Sequence, residues 1–280
     1  MKTPTDTILE LCETITERGG LALQYRAYSH YPWYHGIEPH YSHLNTLIQH
    51  NPDLYETVLT DPRFLRVEQA LHAIRSAYEQ DNEMNTAKTI LKEHEDGITD
   101  GWQDVRRIIT EESYWAFSRE IENALSKKKN VMVAGSGPLP STGLSIAINL
   151  GINVTCVNID PETHSVSKRI IQLSSCESLV TSHLEDVGDM ENLGQYDAIV
   201  ATVQLGLDQN NRLDVIQHLI DNLSPSSTLV IREPTGYGRL FYPFLGNDFY
   251  DLSGLVFSKV FPRTGPGHPY RSGIWSANKE

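Results

Sequence analysis

Residues 130–151 read NVMVAGSGPLPSTGLSIAINLG: a short apolar run, a turn rich in glycine and proline, then an apolar-faced stretch that Gly151 closes. A buried strand turning directly into a helix opens a crossover unit, because a parallel neighbour cannot be reached through a tight hairpin. The segment therefore commits the C-terminal half of the chain to parallel strands with helices on the sheet faces. Apolar bursts at 154–159, 178–181, 198–203 and 228–231 alternate with helical stretches, one of them marked by Leu213, Ile216, Ile220 and Leu223. Two further runs, 255–261 and 273–276, flank PRTGPGHPYRSG and are expected to form an antiparallel edge pair.

Upstream of Lys129 the periodicity changes. Val67, Leu71, Ile74 and Tyr78 recur at helical spacing, as do apolar positions in 7–16, 41–49 and 101–127, and no strand pattern intervenes. Residues 27–40, rich in aromatics, His and Pro, read as an ordered loop or lid. The expected fold class is α/β: an N-terminal helical bundle domain over 1–128 and a Rossmann-like, mostly parallel sheet domain over 129–280. Charge narrows the partners. The 23 Lys+Arg against 36 Asp+Glu leave a net charge of -13, which argues against nucleic acid, whose binding needs a basic face. No apolar run suits a membrane span and acids interrupt the N-terminal apolar stretch, so a cytoplasmic location without membrane contact is expected. Cys12, Cys156 and Cys176 lack the spacing of a disulfide framework or a zinc site.

Gly135 and Gly137 let the backbone pass close to a ligand, and the helix that follows presents unpaired N–H groups and a positive dipole end. Pro140 breaks the dinucleotide pattern GxGxxG, so a pyrophosphate is not the expected ligand. Asp160, ending the next strand in VTCVNIDP, suits a ribose diol, and an adenosine without pyrophosphate, such as S-adenosylmethionine, fits both features. Close helix–strand packing is the plainer explanation of GxG and stays open. Asp186, in SHLEDV, stands where an acid receives an adenine amino group or is simply a solvated loop carboxylate.

In order, GSGPLPSTGL, HLEDV, VATVQLGLDQ and VIREPTGYGRLFYP, within roughly residues 131–243, resemble the corresponding segments of nicotianamine synthase. The resemblance implies a class I methyltransferase-like domain behind a helical bundle. It also implies transfer of the 3-amino-3-carboxypropyl group of S-adenosylmethionine with release of methylthioadenosine. It places the S-adenosylmethionine site at Gly135, Ser136, Gly137, Pro138, Asp160, Asp186, Thr202 and Val203. Bacterial relatives of the opine-metallophore branch, the staphylopine and pseudopaline type, transfer one such group to the α-amine of histidine. In that branch a downstream opine dehydrogenase takes up the product; a homodimer is compatible with the resemblance.

A sulfonium has three electrophilic carbons, and the one that reacts is the one held in line, about 3 to 3.5 Å from the nucleophile. Transfer of the amino-acid arm needs that arm turned to the acceptor, whose amine must first give a proton to a carboxylate or phenol. IRSAYEQDNEMNTAKTIL resembles the helix of opine-type synthases that carries a glutamate at the place of Glu83, the first choice as base. Arg75, Glu79 and Glu83 share one polar edge, and a solvated face with an Arg75–Glu79 pair is the plainer alternative. EESYWAFSREIENAL stands in place of the family's tyrosine-bearing helix. There Tyr114 is the candidate to orient the amine and Glu120 to receive it, beside ordinary core or surface roles.

The chain departs from nicotianamine synthases after the fifth strand. Glu233 follows Arg232 where a small hydroxyl residue is usual, the next arginine is displaced to Arg239, and Arg271-Ser272 replaces Asn-Ser. Glu233, Arg239 and Tyr242 are the candidate acceptor-binding residues, Glu233 for an amine or imidazole N–H and Arg239 or Arg271 for a carboxylate. An internal ion pair is the equal alternative for the two charged ones. Histidine is on these grounds the preferred acceptor. The alternatives are nicotianamine synthase proper and a methyltransferase, although VATVQLG is no methyl-acceptor motif. His30, His35, His40, His43 and His50 match no compact ligand spacing, so no metal is expected.

Overall fold

The computed structural model describes residues 2–24, 36–110, 121, 124–203, 205–206, 209–246, 249, 256–260 and 271–278. Helices α1 (Pro4–Gln24), α2 (Glu38–His50), α3 (Tyr55–Leu59), α4 (Pro62–Glu95) and α5 (Gly101–Thr110) precede the first strand. Asp61 starts α4 by accepting from the Arg63 N–H at 2.8 Å, with Pro62 in the first turn where a missing N–H breaks no helical bond. The two halves of α4 serve different cores. Phe64, Leu71 and Ile74 pack with Ile8, Ile15 and Leu44 of the bundle and with Tyr237, Leu240 and Phe241 from the C-terminal half. Met84, Ala87, Ile90 and Leu91 pack instead with the sheet residues Val131, Val133, Val154 and Val200. This sharing brings one stripe of α4 to the sheet.

Strands β1 (Asn130–Ala134), β2 (Asn153–Asn158), β3 (Val180–Leu184), β4 (Ala198–Ala201), β5 (Thr228–Thr235), β6 (Val256–Val260) and β7 (Arg271–Asn278) form one sheet in the order β3-β2-β1-β4-β5-β7-β6. The first five run parallel, while β7 lies antiparallel to both β5 and β6. Helices α6 (Ser141–Leu150), α7 (Pro161–Leu173) and α8 (Gln209–Asn222) provide the crossovers. This is the Rossmann-like sheet of class I methyltransferases, as the sequence leads one to expect. The antiparallel pair is also present, with β7 inserted between β5 and β6. Gly151 ends α6 in the left-handed region, at φ 65. The strand expected at 178–181 lies at 180–184, an outer position whose largely exposed, polar residues weaken the apolar signal. Residues 27–35 of the expected loop and 111–120 of the expected long helix, Tyr114 and Glu120 included, lie outside the described residues. Among those described, no helix is long and apolar enough to cross a membrane. Strand order reverses between β1 and β4, so a ligand crevice is expected beyond their carboxyl ends.

Candidate active site

The turn after β1 is strapped to both neighbouring strands. The Gly135 and Ser136 N–H groups donate to the Val157 carbonyl, each at 3.2 Å, and the Ser136 hydroxyl donates to Asn158 Oδ1 at 3.2 Å. From the other side the Thr202 hydroxyl, in the turn with Val203 after β4, donates to the Gly135 carbonyl at 3.0 Å. Pro138 is buried in the same turn. Helix α6 has no side-chain cap at its start, so its positive end faces the crevice unneutralised by a capping group. The helix-packing task of the missing third glycine falls to Gly143, where an added Cβ would stand 2.4 Å from Cys156 Sγ.

Asp160 lies beyond the end of β2 and caps α7, its carboxylate accepting from the Thr163 N–H at 2.6 Å. The residue at the strand end itself is the buried Asn158, whose Oδ1 engages Ser136 and whose Nδ2 has no hydrogen-bond partner among the described residues. Asn158 escapes a search for an acid, yet Asp-Pro at 160–161 is itself the mark of a helix start. Asp160→Ala is expected to lower the unfolding free energy by about 1 kcal/mol, measured by urea titration, as loss of an N-cap does. Asp186 is exposed and accepts from the Gly188 N–H at 2.9 Å. Ile159 and Leu184, 68% and 48% exposed, add apolar surface at the same sheet edge.

Helix α4 carries Glu83 to this turn: a Cβ on Gly137 would lie 2.6 Å from Glu83 Oε2. Glu68, His72, Arg75, Glu79 and Glu83 follow three- and four-residue spacing along one stripe. The segment after β5 covers that stripe. His72 Nε2 meets the Arg239 carbonyl at 3.1 Å, the Tyr242 hydroxyl donates to Glu79, and Glu79 pairs with Arg75. Arg75 also lies over the rings of Tyr41, Tyr78 and Phe241. The Arg75–Glu79 pair is therefore present, within a largely buried network instead of a solvated face.

Burial, and then the neighbouring Glu79 carboxylate, push the Glu83 carboxyl up to about 8, against the opposing charge of Arg232. Burial and Glu79 likewise raise the Tyr242 phenol, keeping it a protonated donor. Burial drives His72 down to about 4, so its ring is neutral at pH 7. A carboxyl that titrates near neutrality can both take and return a proton during a reaction.

Glu233 is fully buried, with Oε1 3.8 Å from Arg212 Nη2. The ion pair that the structure shows for it is thus with Arg212, on α8. Arg239 sits 4.5 Å above the Phe244 ring, and its charge opposes the upward push of burial on the Glu68 carboxyl. Arg212 escapes a reading of the sequence because it opens a polar stretch, although it stands in line with the buried Ile216, Leu219 and Leu223. Among the described residues no group of three or more His, Cys, Asp or Glu could hold a metal ion, and His30 and His35 lie outside them.

The profile of the family described as nicotianamine synthase protein matches residues 36–268. A nicotianamine synthase of Solanum lycopersicum is 30% identical over 148 residues, 51% of this chain and 46% of that protein. Nicotianamine synthase 2 of Arabidopsis thaliana is 29% identical over 135 residues, 47% and 42%. The matched stretch thus spans about half the length of these relatives. In structure the chain is similar to a mutant of MtNAS, with TM-score 0.69 and 16% identity over 96% of this chain and 97% of that one. It is also similar to the same mutant of MtNAS in complex with S-adenosylmethionine, with TM-score 0.68 and 15% identity over 97% of each chain. At such identity the likeness is one of fold.

Proposed function

The chain belongs to the nicotianamine synthase family, and from that premise we propose that it transfers the 3-amino-3-carboxypropyl group of S-adenosylmethionine to the α-amine of histidine, releasing methylthioadenosine. The observation that carries this reading is the carboxylate of Glu83, with its raised pKa, seated against Gly137 in the turn expected to hold the nucleoside. Gly135 to Pro138 and the open start of α6 border the sulfonium ligand. Asn158 and Asp160 stand on its ribose side, Asp186 at the adenine amino group with Ile159 and Leu184 flanking the base, and Thr202 and Val203 close the opposite wall. In this pose the amino-acid arm points to α4.

Glu83 takes a proton from the acceptor ammonium. The freed lone pair attacks the arm carbon bonded to sulfur, and that bond breaks with its electron pair going to sulfur. A positively charged sulfonium becomes a neutral thioether, and the amine nitrogen becomes a secondary ammonium that returns a proton to solvent. Tyr114 orients the acceptor amine and Glu120 receives it, and Arg239 receives its carboxylate end. Glu233, held by Arg212, shapes the site from beneath.

The departures from nicotianamine synthases after β5 favour histidine over a second S-adenosylmethionine-derived acceptor. The product is then a substrate for a downstream opine dehydrogenase, in a cytoplasmic metallophore route with no metal on this protein, and the chain works alone or as a homodimer. Purified protein given S-adenosylmethionine with L- or D-histidine is expected to release methylthioadenosine and to form a histidine adduct, followed by mass spectrometry. Product formed without histidine identifies nicotianamine synthase proper, and S-adenosylhomocysteine in place of methylthioadenosine rejects the reaction. The kcat/KM for methylthioadenosine release is expected to rise with pH through a midpoint near 8, because protonated Glu83 cannot accept the proton.

A further inference from the structure

Arg212, at the start of α8, is fully buried and spreads its guanidinium over backbone carbonyls of the turn after β4 and of β5. Nη1 donates to the carbonyls of Thr202 and Val203 at 3.0 Å each and to that of Leu205 at 2.9 Å. Nη2 donates to the Arg232 carbonyl at 2.8 Å and faces the buried Glu233 carboxylate at 3.8 Å. Three carbonyls of one turn that converge on a point repel one another unless a cation sits there, so the shape of the turn after β4 depends on this side chain. A guanidinium can do this because its donors form a rigid planar fork; an ammonium on a flexible stem cannot span both strands at once.

Arg212 joins the turn after β4 to the middle of β5, one residue past the last pair of those two strands. Thr202 belongs to the β4 turn and reaches the Gly135 carbonyl, whereas Arg232 is the residue whose charge opposes the raised pKa of Glu83. Among the described residues, the charged group that acts on Glu83 besides Arg232 is Glu79 on its own helix, and Gly137 approaches it from the β1 turn. We propose that Arg212 is a positioning residue: by clamping the β4 turn to β5 at Arg232 it holds the nucleoside wall and Arg232 in register, so that ligand binding and the charge environment of the base are set together. The proposal rests on the reading of Glu83 as base and of the β4 turn as part of the S-adenosylmethionine site. Arg212 itself touches neither reactant.

The test uses the full chain. Arg212→Lys is expected to raise the S-adenosylmethionine dissociation constant, measured by calorimetry, by about 10²-fold, the effect of misplacing a site by an ångström. It is also expected to move the acid limb of kcat/KM to higher pH, since Arg232 no longer opposes the upward push on Glu83. Ile216→Ala, which empties the same buried face of α8 one turn later but removes none of the donors to the β4 turn, lowers the thermal midpoint and leaves both readouts within about twofold. Should Arg212→Lys not fold, Gly206→Ala asks the same question from the loop side, because its Cβ would stand 2.6 Å from Arg212 Cα; the same weakening is expected. Unchanged ligand affinity in the variant measured, an unmoved acid limb in Arg212→Lys, or an equal loss of affinity in Ile216→Ala overturns the proposal. S-adenosylhomocysteine release by the unmodified protein would reject the transfer chemistry while leaving the binding measurement valid.

Discussion

Glu83→Gln is expected to lower turnover by about 10² to 10⁴, the usual weight of general base catalysis, with S-adenosylmethionine affinity near that of the unmodified protein. Glutamine keeps the length and shape that meet Gly137 but cannot take a proton. The same substitution has a second, opposite effect on stability. The folded carboxyl titrates at about 8 against an ordinary 4.5, so the folded state binds this proton more tightly than the unfolded chain does. Stability therefore falls as pH rises through the window from about 4.5 to about 8, and this contribution is level on either side of it. Allowing for the partial exposure of the side chain, the loss at pH 7 is on the order of 2 kcal/mol. A neutral glutamine escapes it, so the variant should have the higher thermal midpoint above pH 8 and nearly the same midpoint near pH 4. A slower and more stable enzyme is the signature of a residue kept for chemistry at a cost in stability. Undiminished turnover would remove Glu83 as the base; a midpoint that does not diverge with pH would refute its raised pKa.

What the sequence discloses depends on how local the cause is. Strand β1 is recovered to the residue because a central strand buried on both faces is written as an uninterrupted apolar run, and Gly151 announces the end of α6 by its own backbone freedom. Asp160 and Asn158 are separated by one residue, yet only the fold separates their tasks: the first is used on a helix start and the second on the turn of β1. The stripe from Glu68 to Glu83 looks like a solvated face because its cover, Gly236 to Phe244, comes from a distant part of the chain. Periodicity cannot report a lid supplied from so far along the sequence. Arg212 is the sharper case, since its position in the apolar stripe of α8 is visible, but an arginine there reads as surface until its carbonyl partners are seen. Glu83 itself is reached through a family resemblance, and no local pattern distinguishes it from Glu79.

Gly137→Ala is expected to damage catalysis about as severely as loss of the base, by roughly 10²-fold, and unlike Glu83→Gln it should weaken S-adenosylmethionine binding too. Two separate strains meet at this residue. Its φ of +74 lies in the left-handed region, where a side chain costs roughly 1 to 2 kcal/mol. The added Cβ would also stand 2.6 Å from Glu83 Oε2, a distance that no carbon and carboxylate oxygen sustain. Either the turn withdraws into the space of the nucleoside or Glu83 swings away from the acceptor, and both moves separate the base from the ligand. The contributions can be resolved by a double substitution. With Glu83→Ala in the background the clash disappears and only the backbone strain survives, so Gly137→Ala should then weaken ligand binding much less than it does alone. Contacting residues are expected to be non-additive in this way. Equal losses in the two backgrounds would mean that the Glu83 carboxylate does not rest on the glycine turn, and the proton transfer proposed for it would lose its geometric basis.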